Sequence, residues 1–146
     1  MVNEHINACL ASEAATFGRV PILEIGAGTG ALTAHLLKHF DIVHAVERDR
    51  DLVPILNEHF LSFIQSKRLI IHEADGARFN IAQVFLEQPL ILVGNLPYHL
   101  TSSILILALK NRALLKGAVF LVQKEVAERL CAMPKSKDYG FLTAIL

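Results

Sequence analysis

The strongest constraint in this chain is an alternation. Short apolar segments bounded by turn residues lie at 21–26 (PILEIG), 42–47 (IVHAVE), 68–74 (RLIIHEA), 90–96 (LILVGNL) and 118–123 (AVFLVQ). They are rich in Val, Ile and Leu, and several are apolar on both faces, as strands buried in a parallel sheet are. Between them the period becomes helical: Leu32, Leu36 and Phe40 share one face, and Leu52, Leu56, Phe60 and Phe63 share another. Asp51 is expected to cap that second helix, with Pro54 inside its first turn. Thr101 or Ser102 is expected to cap a helix through Leu109. A last helix over 123–132 should turn Val126, Ala127 and Leu130 inward, with Glu125 and Arg129 paired outside. Strands alternating with helices imply an α/β fold, a doubly wound parallel sheet with right-handed crossovers. Ligands of such sheets sit beyond the carboxyl ends of the strands, so the residues following each strand carry the chemistry.

Composition narrows the rest. A chain of 146 residues makes one domain with a real core. Its 14 basic and 14 acidic side chains cancel, which argues against a basic arm or an acidic tail and leaves room only for local patches. At 53% hydrophobic it has ample apolar surface to offset chain entropy, which excludes disorder. Two cysteines, Cys9 and Cys131, make neither a disulfide framework nor a zinc cluster and read as reduced thiols of a cytoplasmic protein. The histidines show no ligand-type grouping, so no metal is expected. No secretory leader is recognisable. The run 88–109 is uncharged and long enough for a bilayer, but Asn95, Pro97, Tyr98, His99, Thr101, Ser102 and Ser103 interrupt it. A buried strand, a turn and a buried helix fit better, and no membrane association is expected.

The first strand runs into Glu24-Ile25-Gly26-Ala27-Gly28-Thr29-Gly30. Glycines here allow a tight turn and close approach of a ligand, and the following helix offers its first amides to a polar group. Alone the pattern is ambiguous: Gly26, Gly28 and Ala31 also satisfy the looser dinucleotide fingerprint. The second strand ends at Glu47, whose carboxylate suits the two hydroxyls of a ribose, or is simply a solvated acid at a strand end. The third runs out to Asp75, placed to accept from the exocyclic amine of an adenine, or to serve as a turn or N-cap residue. The fourth ends in Gly94-Asn95-Leu96-Pro97-Tyr98. An exocyclic amine on a base is a poor nucleophile because its lone pair is delocalised into the ring. Acceptors that hold both N–H groups help it pyramidalise, which stabilises the transition state. The Asn95 carboxamide and the Leu96 carbonyl suit that task, Pro97 fixes the turn, and Tyr98 offers a face for an unstacked base. Asn-x-Pro is also an ordinary turn former.

ILEIGAGTGALT (22–33), AVERD (45–49), NLPY (95–98) and VQKEVAERL (122–130), followed by PKSKDYGFL (134–142), resemble the small-subunit ribosomal RNA adenine N6,N6-dimethyltransferases over nearly the whole chain. The resemblance implies a class I methyltransferase fold with strand order 3-2-1-4-5. It also implies transfer of methyl groups from S-adenosylmethionine to two adjacent adenosines of small-subunit rRNA. Cofactor contacts would come from Glu24, Gly26, Gly28, Gly30, Glu47, Asp75 and Asn95, and target-base contacts from Asn95, Leu96, Pro97 and Tyr98. Two departures stand out: the family usually has Gly-Asp-Ala where this chain has Ala74-Asp75-Gly76, and commonly Asn where it has His99. By the same comparison residues 1–146 form one cofactor-binding domain lacking an N-terminal Gln-x-Phe tract, the final strands and a C-terminal helical domain. The complete protein is expected to act as a monomer on the pre-ribosomal small subunit. Lys124, Arg129, Lys135 and Lys137 are candidates for RNA phosphate contacts or a solvated surface. Two rivals remain at this point: a non-catalytic RNA-binding or ribosome-assembly module on the same fold, and a nicotinamide-dependent oxidoreductase built on Gly26, Gly28, Ala31 and Glu47.

Overall fold

The computed structural model describes residues 4–130. Five parallel strands form one sheet in the order β3-β2-β1-β4-β5, as expected, with β1 at Ile22–Ile25, β2 at Val43–Glu47, β3 at Leu69–Glu73, β4 at Leu90–Asn95 and β5 at Leu115–Leu121. The central strands β1, β2 and β4 are almost wholly buried, which is why their sequences read as continuous apolar runs. Helices cover both faces. On one, α1 (Glu4–Ala15) and α2 (Ala31–His39) pack with α3 (Val53–His59) and α4 (Leu61–Gln65) over Ile22, Val43, Ala45, Ile91 and Val93. On the other, α5 (Ile81–Phe85) and α6 (Thr101–Lys110) lie over Leu23, Ile25, Val46, Leu90 and Leu92. A final helix, α7 (Lys124–Leu130), follows β5 and buries Val126.

Several expectations need correction. Helix α1 has no counterpart in the sequence reading. Its buried positions are Asn7, Leu10, Ala11 and Ala14, too small and too polar to stand out as an apolar stripe. The helix expected over Leu52–Phe63 is two, broken at Phe60, whose backbone leaves the helical region (φ −112°, ψ 26°). Asp51 does not cap it: the N-cap is Leu52 without a side-chain bond, and the Asp51 N–H is instead bound by Asp49 Oδ1 at 2.9 Å. Pro54 does lie in the first turn. Neither Thr101 nor Ser102 caps α6, which has Leu100 at its N-cap; the Thr101 hydroxyl donates back to the Pro97 carbonyl at 3.1 Å. β5 begins earlier than the expected 118–123, because Leu115 and Gly117 already pair with Leu90 and Ile91 across an irregularity in register. In α7 the ion pair one turn apart runs from Lys124 to Glu128 at 3.8 Å. The end of the expected 123–132 helix, and Lys135 and Lys137, lie outside the described residues.

The corner between α2 and β2 is tied by a residue that local patterning does not single out. Arg68 Nη2 donates to the carbonyls of Leu37 (2.7 Å) and Phe40 (2.8 Å), Nε donates to Asp41 (3.3 Å), and the guanidinium lies 5.4 Å from the centre of the Phe63 ring. One fork thus satisfies carbonyls that end α2, a favourable place for a cation. Replacing Arg68 with alanine is expected to lower stability by about 2–3 kcal/mol, and lysine to restore less than half of it, since charge-assisted bonds are lost and an ammonium lacks the fork. Urea unfolding of the two variants measures both values.

Candidate active site

The strands end at one edge of the sheet. Register places Ile25 beside Val46 and Gly94, Glu47 beside Glu73, and Asn95 beside Leu121, so the segments after β1 to β4 emerge side by side. After β1 the chain turns through three glycines with positive φ: Gly26 (77°), Gly28 (59°) and Gly30 (93°). Their surroundings differ. A Cβ on Gly26 or Gly28 would meet nothing within 4 Å, so these two border open space where a ligand can approach the backbone. A Cβ on Gly30 would lie 2.3 Å from the Phe60 ring, so Gly30 is buried in packing.

Most of the loop's amides are spent internally. The N–H groups of Gly26 and Ala27 donate to Val46 O at 2.9 and 3.1 Å, and that of Gly30 to Ala27 O at 3.0 Å. The Gly28 N–H donates to Glu47 Oε2 at 2.6 Å, while Glu47 Oε1 accepts from Asp49 N at 2.8 Å. Glu47 is therefore a strut of the loop as well as a carboxylate at its rim, and its oxygens keep further lone pairs for a ligand hydroxyl. Below it on β1, Glu24 is 1% exposed and accepts from the Thr33 hydroxyl at 2.6 Å.

Asp75 follows β3 and caps a single 3-10 turn (Gly76–Arg78): Oδ1 accepts from Ala77 N at 3.0 Å. The capping role weighed from the sequence is thus present, and Oδ2 has no hydrogen bond among the described residues. Gly76 stands where a Cβ would lie 2.6 Å from the Ile25 side chain, which favours glycine at the second changed position of that triplet; nothing in the structure explains Ala74. At the end of β4, a Cβ on Gly94 would sit 3.0 Å from Ile25 O, a tight contact that glycine avoids. A lone glycine in a strand pattern signals such a close approach, and the sequence reading assigned it no role. Asn95 is exposed, with its carboxamide free of hydrogen bonds among the described residues. Leu96 is 3% exposed and donates its N–H to Leu121 O at 2.9 Å, which holds the Asn95–Leu96 peptide against β5. Pro97 caps a 3-10 turn beginning at Tyr98, which is 61% exposed.

Among the described residues, hollows adjoin this segment on two sides. One of about 450 Å³ is lined by Asn95, Leu96, Pro97, Leu121, Val122 and Gln123. The other, about 180 Å³, lies between Tyr98, His99, Thr101, Ser102, Val126 and Arg129. Asn95 and Tyr98 thus border neighbouring hollows rather than one closed pocket. A cleft of about 340 Å³ around Arg19, His39 and Asp41 lies at the opposite edge of the sheet, away from every candidate residue. No group of three or more metal-ligating side chains occurs among the described residues.

The model of one protein family, described as ribosomal RNA adenine dimethylase, matches residues 3–146. The chain belongs to the ribosomal RNA adenine dimethylase family. It is 48% identical over 130 residues to "Ribosomal RNA small subunit methyltransferase A" of Anaeromyxobacter sp. (strain K), covering 86% of this chain and 46% of that protein. It is 43% identical over 126 residues to the protein of the same name from Myxococcus xanthus, covering 86% and 43%. This dimethylase-family chain therefore spans less than half the length of the curated relatives it matches. Among solved structures it resembles a dimethyladenosine transferase from Plasmodium falciparum (TM-score 0.76, 27% identity, 98% of this chain and 50% of that one). It also resembles the 23S rRNA methyltransferase ErmE (TM-score 0.74, 25% identity, 88% and 50%).

Two titrations of opposite sign frame the stability of this family member. Burial, aided by the neighbouring Glu47 and opposed by the Thr33 bond, raises the Glu24 pKa from 4.5 to about 8. The folded chain then holds a proton that the unfolded chain has lost, so stability falls as pH rises from about 4.5 towards 8. Away from the site, His44 on β2 and His72 on β3 share a hydrogen bond of 2.9 Å (Nδ1···Nε2) and pack on Phe85 and Phe79. Burial, helped by His72, lowers His44 from 6.5 to about 4, and burial lowers His72. Here the unfolded chain holds the extra proton, so stability is lost as pH falls from about 6.5 towards 4. Maximal stability is expected between these limbs, near pH 6. Glu24→Gln should flatten the alkaline limb, whose full extent is on the order of 3–5 kcal/mol. Denaturation midpoints across pH 4–9 measure this, and a midpoint that climbs steadily to pH 8 contradicts it.

Proposed function

We propose that this chain is the cofactor-binding and catalytic portion of an enzyme that transfers methyl groups from S-adenosylmethionine to the N6 amines of two adjacent adenosines in small-subunit rRNA. The observation that carries this reading is the end of β4. An exposed Asn95 carboxamide, without a hydrogen bond among the described residues, and the buried Leu96 stand beside the glycine loop of β1, with the exposed face of Tyr98 two residues after Leu96. S-adenosylmethionine, when bound, supplies an already activated sulfonium methyl for direct displacement. Gly26 and Gly28 give its methionine part access to the backbone, Glu47 accepts from the ribose hydroxyls, and Asp75 accepts from the adenine amine through Oδ2. Asn95 Oδ1 and Leu96 O accept the two N–H groups of the target amine, so its lone pair localises as it attacks. Tyr98 stacks on the extruded base. Proximity and alignment carry the catalysis, and the amine proton leaves to water afterwards.

The remaining length of the relatives is assigned to the rest of the sheet and a C-terminal helical domain that supplies most RNA phosphate contacts. The complete protein is read as a monomer working in the cytoplasm, in keeping with the exposed free thiol of Cys9. Methyl incorporation from labelled cofactor into unmethylated small subunits by the full-length gene product tests the activity. Tight subunit binding without incorporation would favour a non-catalytic assembly role.

Glu47→Ala is expected to weaken S-adenosylmethionine binding by roughly 1.5–3 kcal/mol, from lost charge-assisted bonds to the ribose and a Gly28 amide no longer held in place. Calorimetry on the folded variant measures it, and unchanged affinity would remove Glu47 from the site.

A further inference from the structure

Beneath the glycine loop lies a carboxyl group that the proposed chemistry does not use. Glu24 is 1% exposed, and its hydrogen-bond partner among the described residues is one hydroxyl, Thr33 Oγ1 at 2.6 Å on α2. It forms no ion pair among the described residues. Across the sheet its neighbours in register are Ala45 on β2 and Val93 on β4, and two residues beyond Ala45, on the same face, stands Glu47. The buried face of α1, made by Asn7, Leu10, Ala11 and Ala14, carries no titratable group. Among the described residues the charge that acts on Glu24 is Glu47, of like sign. A buried carboxyl with one hydroxyl donor, no cation and an acid nearby is stable only when neutral, and Glu24 accordingly keeps its proton to about pH 8. Accepting a bond from Thr33 would be met equally by glutamine, so packing alone does not call for an ionisable group here.

We infer that Glu24 is a positioning residue that surrenders its proton when S-adenosylmethionine binds, so that a buried negative charge arises only when the cationic cofactor is present to balance it. The step breaks the Glu24 O–H bond, leaves the electron pair on the carboxylate, and sends the proton to solvent; no other bond changes. The ligand carries a sulfonium and an ammonium, and positive charge close to a buried acid favours its ionised form. The demethylated product has a thioether in place of the sulfonium, hence one positive charge fewer, and leaves Glu24 largely protonated. By linkage the chain therefore grips cofactor more tightly as pH rises towards 8, and discriminates it from spent product by the same charge.

This inference rests on the S-adenosylmethionine reading, and the test separates the two. S-adenosylmethionine and S-adenosylhomocysteine are titrated calorimetrically into the chain and into Glu24→Gln, in buffers of different ionisation enthalpy, at pH 6, 7 and 8. At pH 7 the native chain should release about half to one proton more than the variant with the methylated ligand, and clearly less with the product. Its affinity for S-adenosylmethionine should rise about tenfold or more between pH 6 and 8 relative to the variant. Carbon NMR of labelled glutamate reads Glu24 without any substitution: its carboxyl should titrate well above the other glutamates in the free chain and fall below pH 7 in the complex. Equal proton counts in both chains, or a free-chain midpoint in the ordinary carboxylate range, would overturn the inference while leaving cofactor binding intact. A folded chain that fails to bind S-adenosylmethionine would overturn the underlying reading, and this one with it.

Discussion

Asn95→Ala in the full-length gene product should lower turnover about 10²–10³-fold and change S-adenosylmethionine affinity far less. The carboxamide stands exposed at the end of β4 with no partner among the described residues. Its proposed bonds form to the target amine only as that nitrogen pyramidalises. They belong to the transition state, so their loss falls on kcat rather than on cofactor binding. Truncation also leaves Leu96 and its anchored peptide in place, because Leu96 is held by burial and by the bond to Leu121 O rather than by Asn95. Single-turnover methylation of unmethylated small subunits, beside calorimetry of cofactor binding, measures the split. Near-normal dimethylation would mean that the amine is held elsewhere.

Gly30→Ala should be strongly destabilising, costing about 3–5 kcal/mol. Two costs add. At φ 93° a side chain is strained, and the new methyl would lie 2.3 Å from Phe60 Cε2 and 3.1 Å from Leu56 Cδ2. Phe60 and Leu56 are themselves buried, so neither ring nor methyl has free space to enter. Gly26→Ala is the internal control, because φ 77° is unfavourable there too but nothing lies within 4 Å. Against a typical total stability of roughly 5–15 kcal/mol, the Gly30 variant should be largely unfolded under mild urea and the Gly26 variant not. Equal unfolding midpoints for the two would show that the Phe60 contact yields at no cost.

The same contact shows where sequence reading stops. The strands and the set of strand-end residues were legible because buried parallel strands appear as continuous apolar runs, and because ligand chemistry at their carboxyl ends needs recognisable residue types; the strand order came from the family resemblance. The break at Phe60 was not. Apolar spacing continues smoothly from Leu56 to Phe63, while the helix breaks at Phe60, whose ring sits against a glycine 30 residues away in number. Arg68 was invisible for a like reason, since its acceptors Leu37, Phe40 and Asp41 are distant in sequence. β5 was read too short because the exposed Lys116 interrupts its apolar run at an edge of the described sheet. At the site, the residues of the Asn95–Tyr98 turn were named from their chemistry, but their division between two hollows depends on Leu121–Gln123 and Val126, which no motif announces.

The bond from Gly28 to Glu47 bears on what the glycine loop refuses. In a dinucleotide fold the corresponding turn leaves backbone N–H groups facing outward as a nest for pyrophosphate. Here that amide is turned onto the Glu47 carboxylate. A diphosphate entering this turn would lose a donor and meet oxygen lone pairs of its own sign. The turn thus offers a diphosphate one donor fewer than a dinucleotide fold does, and sets a carboxylate where that fold keeps an open amide.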